Sequence, residues 1–141
     1  MKVIVLCGVP GSGKSSFTEK YKNYIVVSQD QLGSRTMCLS LFRKSLADGK
    51  NIIVDRCNIN KMQRTLWINI AKEFGAEINC VALITEPKVA IERILNRKDH
   101  PTIKSDYSVE KVEQIVYNFV STYEAPTLEE GFRKVLFINA N

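Results

Sequence analysis

At 141 residues, with 45% hydrophobic and 25% charged side chains, the chain has the balance of an ordinary globular protein, which excludes a fibrous or disordered one. It is the length of one domain, 1–141, and no apolar run approaches the roughly 18 residues a membrane-spanning helix needs. The net charge of +5 suits a polyanionic partner without requiring one.

In chain order, the apolar run Lys2–Cys7 reads as a core strand rather than a signal peptide, and it leads straight into a glycine loop at Gly8. Further runs of strand length follow at Tyr24–Ser28, Asn51–Asp55, Ile78–Ile84 and Val135–Ile138. Being continuously apolar, they predict strands covered on both faces, as in a parallel sheet. Helical spacing separates them. A helix is expected from about Ser34 to Leu46, ended by Asp48-Gly49. Another spans Lys61–Phe74, with Met62, Leu66, Ile70 and Phe74 four apart, Asn60 and Gln63 as a capping pair and Gly75 as a stop. A third, Pro87–Arg97, is expected to bury Ala90, Ile91, Ile94 and Leu95. The last, Ser108–Tyr123, sets Val112, Ile115, Val116, Phe119, Val120 and Tyr123 on one side. Loops are expected at 98–106 and 125–131. Strands alternating with helices predict a three-layer α/β sandwich on a five-stranded parallel sheet, with chemistry at the carboxyl ends of the strands. Cysteines 7, 38, 57 and 80 lack paired metal spacing and read as reduced thiols of an intracellular protein, cytoplasmic or nuclear.

The loop Gly8-Val9-Pro10-Gly11-Ser12-Gly13-Lys14-Ser15 has the Gly-x-x-x-x-Gly-Lys-Ser pattern between a strand and a helical segment, the context that a phosphate loop requires. Backbone N–H groups from Gly11, Ser12 and Gly13 to Lys14, Ser15 and Ser16 would point at the phosphates of ATP or GTP. Lys14 would neutralise the β and γ phosphates, and the Ser15 hydroxyl would ligate Mg²⁺. Asp30 and Asp55 fall at or just after strand ends; Asp30 is assigned as the proton acceptor and Asp55 to the metal side. Arg93 and Arg97, four apart on one helix, lead into a basic segment placed as a lid, with Arg93 toward the nucleotide and Arg97 toward the transferring phosphoryl group. His100 reads as a structural loop residue, and Trp67 as core.

Taken together, the Gly8–Ser15 loop, Ser28-Gln29-Asp30, Val54-Asp55-Arg56-Cys57-Asn58-Ile59-Asn60 with Arg64, and the lid arginines Arg93 and Arg97 resemble the polynucleotide 5′-hydroxyl kinase family. The resemblance runs over nearly the whole chain. It implies a catalytic set of Lys14, Asp30 and Arg97, with Ser15 on Mg²⁺, and places Asp55 and Asn58 in the pocket that takes a 5′-OH end of RNA or DNA. Phage-type relatives carry an arginine three residues after the base; here that place is Gly33, and the nearest arginine is Arg35. Two other readings share the loop: a kinase of a small metabolite or nucleotide, and a nucleotide-binding switch. The second draws on Asp30-Gln31-Leu32-Gly33, which mimics a GTPase Asp-x-x-Gly, although no Asn-Lys-x-Asp motif occurs.

Overall fold

Runs such as Val3-Ile4-Val5-Leu6 place β-branched and aliphatic side chains on both faces of a strand, so each face needs its own cover. The computed structural model, which describes residues 1–96 and 107–141 and only the backbone of Asp30 and Gln31, supplies that cover. Five strands, β1 (Lys2–Cys7), β2 (Ile25–Ser28), β3 (Ile52–Asp55), β4 (Glu77–Ile84) and β5 (Val135–Asn139), form one all-parallel sheet in the order β2-β3-β1-β4-β5. The central β1 pairs with β3 on one side and β4 on the other, which puts the reversal of winding, and so the crevice, at the ends of β1 and β3.

On one face Val3, Val5, Cys7, Ile52, Val54 and Cys80 pack against α3 (Arg35–Ala47) and α4 (Lys61–Glu73). Phe42 and Trp67 meet edge to face there, 5.0 Å between ring centroids. On the other face Ile4, Leu6, Ile53, Val81 and Leu83 are covered by Phe17 at α1 (Lys14–Thr18) and by Tyr21 and Tyr24 beyond it. A further cluster joins α5 (Pro87–Asn96) to α6 (Val109–Ser121) around Val9, Ala90, Ile94, Val112 and Val116. The result is the α/β sandwich that the alternating runs predict. Among the described residues no helix is long and apolar enough to cross a membrane.

Helix starts follow local chemistry. Ser34, Asn60 and Ser108 each accept a hydrogen bond from the backbone N–H three residues on, at 3.1, 2.9 and 3.2 Å. Gln63 reaches back as expected, but to Ile59 N rather than to the cap itself. The periodicity misjudged several faces. Leu95, expected to be buried, is exposed, as is Val120; on α4 the buried positions are Arg64, Trp67, Ile68, Ile70 and Ala71, while Met62 is 79% exposed. A four-residue helix, α2 (Gln29–Leu32), which spacing did not predict, follows β2 at once and ends at Gly33 with φ of 83°. The expected loop at 125–131 contains a 3-10 turn, Leu128–Glu130, while the one at 98–106 lies outside the described residues.

That 3-10 turn matters because Glu130 completes a buried ion pair. Arg64, with no exposed surface, donates through Nε and Nη2 to Glu130 Oε1 and Oε2 at 2.8 and 3.2 Å. Removing one partner leaves a charge stranded in the core. Glu130→Ala should therefore lower unfolding free energy by about 3–5 kcal/mol. Urea denaturation measures it, and the apolar pair Arg64→Met with Glu130→Leu should recover most of the loss.

Candidate functional site

β1 ends in the core at Cys7, and the chain turns there because Gly8 N donates to Cys57 O at 2.9 Å, tying the loop to the exit of β3. The loop then closes around the Lys14 ammonium, which donates to Gly8 O and Val9 O, both at 2.9 Å, with Ser12 Oγ at 3.5 Å. Within the same turn Ser12 N donates to Val9 O at 3.2 Å. Gly11 is the residue that this path cannot replace. Its φ is 83°, and a Cβ there would stand 2.5 Å from Ala90 O of α5. Arg93 of the same helix donates to Gly11 O at 3.3 Å, so α5 is fastened to the loop by backbone contact and by one guanidinium. Ser12 is buried beneath the loop, and Ser15 and Ser16 are exposed in the first turn of α1.

At the end of β3, Asp55 stands in register with Ser28 and accepts a hydrogen bond from Ser15 Oγ at 3.3 Å. The two predicted metal-side oxygens are thus brought together. Asp30 lies in α2, directly beyond Ser28, so its backbone starts from the strand next to Asp55. Arg97 and His100 fall outside the described residues. Asn58 is almost fully buried and adopts φ of 47°, in the left-handed region that asparagine tolerates better than most residues. Its Nδ2 donates to Leu6 O and Arg56 O at 2.7 and 3.1 Å, and its Oδ1 accepts from Trp67 Nε1 at 3.0 Å. The amide is therefore committed to shaping the β3–α4 turn.

These elements enclose a cleft of about 480 Å³ running from Gly11, Gly13, Lys14 and Ser15 past Asp55 toward α3 and α4. α3 and the β3 exit contribute Arg35 and Arg56 to its lining, and α4 and α6 contribute Met62, Leu66, Trp67 and Phe119. Arg56 and Cys57 lie within the Val54–Asn60 stretch that carries the resemblance but have no role there, and their position just past a strand end is a signal that could have marked them; the apolar wall carries no motif. Of the residues spaced four apart on α4, Met62 and Leu66 line this cleft, and Leu66 also packs against the core.

The four cysteines are free; burial pushes the Cys7 and Cys80 thiols up, away from the reactive thiolate, while the half-buried Cys57 lines the cleft. Burial likewise raises the Tyr123 hydroxyl to about 12. Among the described residues no group of three or more His, Cys, Asp or Glu could hold a metal ion.

The family model for an AAA domain matches residues 33–122, which lie beyond the phosphate loop, so the loop is supported independently by its own geometry. Over 138 residues the chain is 31% identical to a bifunctional polynucleotide phosphatase/kinase of Schizosaccharomyces pombe, covering 95% of this chain and 32% of that protein. It is 30% identical over 146 residues to transcription factor bHLH140 of Arabidopsis thaliana, covering 96% of this chain and 16% of that protein. The chain thus spans about a third or less of these two relatives. A fungal RNA kinase crystal structure shares the fold, with a TM-score of 0.74 at 14% identity over 99% of this chain and 74% of that one.

The loop geometry makes a graded prediction. Gly11→Ala must displace the α5 backbone as well as strain φ, whereas a Cβ at Gly13 meets nothing within 4 Å and strains φ alone. Titration with a fluorescent ATP analogue should show Gly11→Ala losing affinity by roughly 100-fold and Gly13→Ala by less, in line with about 1–3 kcal/mol for each strained residue.

Proposed function

We propose that this chain, which belongs to the AAA domain family, is a kinase that transfers the γ-phosphate of ATP or GTP to the 5′-hydroxyl end of RNA or DNA. The observation that carries this reading is the cleft. A phosphate loop alone would serve any nucleotide-binding protein, but here the same cleft continues past Arg35 to the apolar residues Met62, Leu66, Trp67 and Phe119. That pairing suits an acceptor made of an anionic backbone and a flat base. The S. pombe relative, named for polynucleotide kinase and phosphatase activities, agrees with it. The kinase would act as one domain, 1–141, and its free thiols suit an intracellular setting.

In this reading the N–H groups from Gly11 to Ser16 and the ammonium of Lys14 hold the β and γ phosphates, and Arg93 steadies the loop from α5. Ser15 and Asp55, an adjacent hydroxyl and carboxylate, fit Mg²⁺, which favours a few hard oxygen ligands beside substrate phosphates and waters. When bound, that ion would supply charge neutralisation between the β and γ phosphates. Arg35 faces the cleft from the start of α3 and takes the acceptor's backbone phosphate, while Asn58 sets the shape of the wall. Asp30 takes the proton of the acceptor hydroxyl as its oxygen bonds to the γ-phosphorus and the nucleoside diphosphate leaves. Arg97, outside the described residues, is assigned from its spacing to Arg93 as the cation that meets charge on the transferring group.

The test is a transfer assay with γ-labelled ATP or GTP, Mg²⁺, and 5′-OH RNA, 5′-OH DNA and nucleosides as competing acceptors. Label should appear on oligonucleotide ends; label on small acceptors alone, or hydrolysis without transfer, refutes the reading. Asp30→Ala should reduce transfer by roughly 10²–10⁴-fold with donor affinity kept. Equal loss of both would refute Asp30 as the base.

A further inference from the structure

The acceptor side of the cleft rests on two elements of unequal rigidity. The β3–α4 turn is held at many points: Asn58 bonds Leu6 O, Arg56 O and Trp67, Arg64 donates to Asn58 O at 2.9 Å, and Glu124 N reaches Ile59 O at 2.6 Å. By contrast α2 is one turn long, with Gly33 N returning to Gln29 O at 2.6 Å and a left-handed Gly33 directly after it. An isolated turn of helix does not hold itself, because nucleation fixes more dihedral angles than its hydrogen bonds repay. Leu32 rests on the core. Among the described residues, the side-chain hydrogen bond that ties α2 to the sheet runs from Arg56 Nη2 to Gln29 Oε1, at 2.6 Å.

We propose that Arg56 is a positioning residue: anchored in the β3–α4 turn, it grips Gln29 and thereby sets α2, with Asp30 beside Gln29, at the acceptor end of the cleft. This rests on the reading of Asp30 as the proton acceptor. A single charge-assisted bond on an exposed element adds little to global stability. It governs where α2 sits, and a misplacement of about 1 Å at a reacting group costs up to about 100-fold in rate.

Two measurements on Arg56→Met, Gln29→Leu and the double variant test it. Hydrogen–deuterium exchange over residues 29–33 should quicken by at least about fivefold in each variant while residues 61–73 keep their protection. Unchanged exchange at 29–33 overturns the proposal. Should Arg56→Met also loosen 61–73, Gln29→Leu decides, since it leaves the turn untouched. In steady-state transfer, kcat should fall about ten- to a hundredfold with acceptor KM shifting less than about threefold, and the double variant should be no worse than the worse single. A raised KM with kcat kept would make Arg56 a substrate contact and overturn the positioning role. A wild-type protein that phosphorylates only small acceptors, or none, refutes the nucleic-acid reading instead, and exchange alone then judges the tether.

Discussion

A guanidinium does not shed its proton inside a protein, so an arginine with no exposed surface obliges its surroundings to supply acceptors. Arg64 imposes that obligation on the carboxyl edge of the sheet. Glu130 answers two of its nitrogens, and Asn58 O and Cys7 Sγ answer the third. Each acceptor lies in a different part of the chain: the end of β1, the turn after β3 and the 3-10 turn before β5. Glu130 is itself fixed by a capping box, since its Oε2 accepts from Thr127 N at 2.7 Å. The loops that build the site are thus drawn to one buried charge, and none can shift without unpairing it.

This constraint divides the site into a stiff part and a looser one. The phosphate loop hangs from Cys57 O and is pressed against α5 through Gly11, so its path is decided by backbone on both sides. Asp55 ends a fully paired strand and shares that stiffness. On the acceptor side, α2 and the first turn of α3 follow the edge strand β2, which has a neighbour on one side only. A stiff loop beside a less tightly held wall agrees with the proposed transfer to a chain end, which must thread in and leave.

Legibility in the sequence tracks the range of the interactions. Strands and the phosphate loop are encoded locally, in continuous apolar runs and in a glycine pattern whose spacing has few other uses, and these agree with the structure. Cap residues at Ser34, Asn60 and Ser108 likewise act over three positions. The Arg64–Glu130 pair joins residues 66 apart, and Arg56–Gln29 joins residues 27 apart. No local pattern marks either. Nor does periodicity distinguish a helical face that meets the core from one that meets a cleft: Met62, Leu66 and Ile70 share one spacing, yet Ile70 is buried while Met62 and Leu66 line the cleft.

The structure also bears on the switch-like tetrad Asp30-Gln31-Leu32-Gly33. A GTPase-type switch needs this segment to change with the γ-phosphate, its glycine N–H free to meet that group. Here Gly33 N is spent on Gln29 O, and its positive φ turns the chain out of α2 toward the Ser34 cap of α3. The glycine thus has a local structural purpose that owes nothing to the nucleotide. With the tetrad explained as a helix and its stop, the feature that remains to be accounted for is the cleft beside it. The proposed transfer makes use of such a space, and a switch has no need of it.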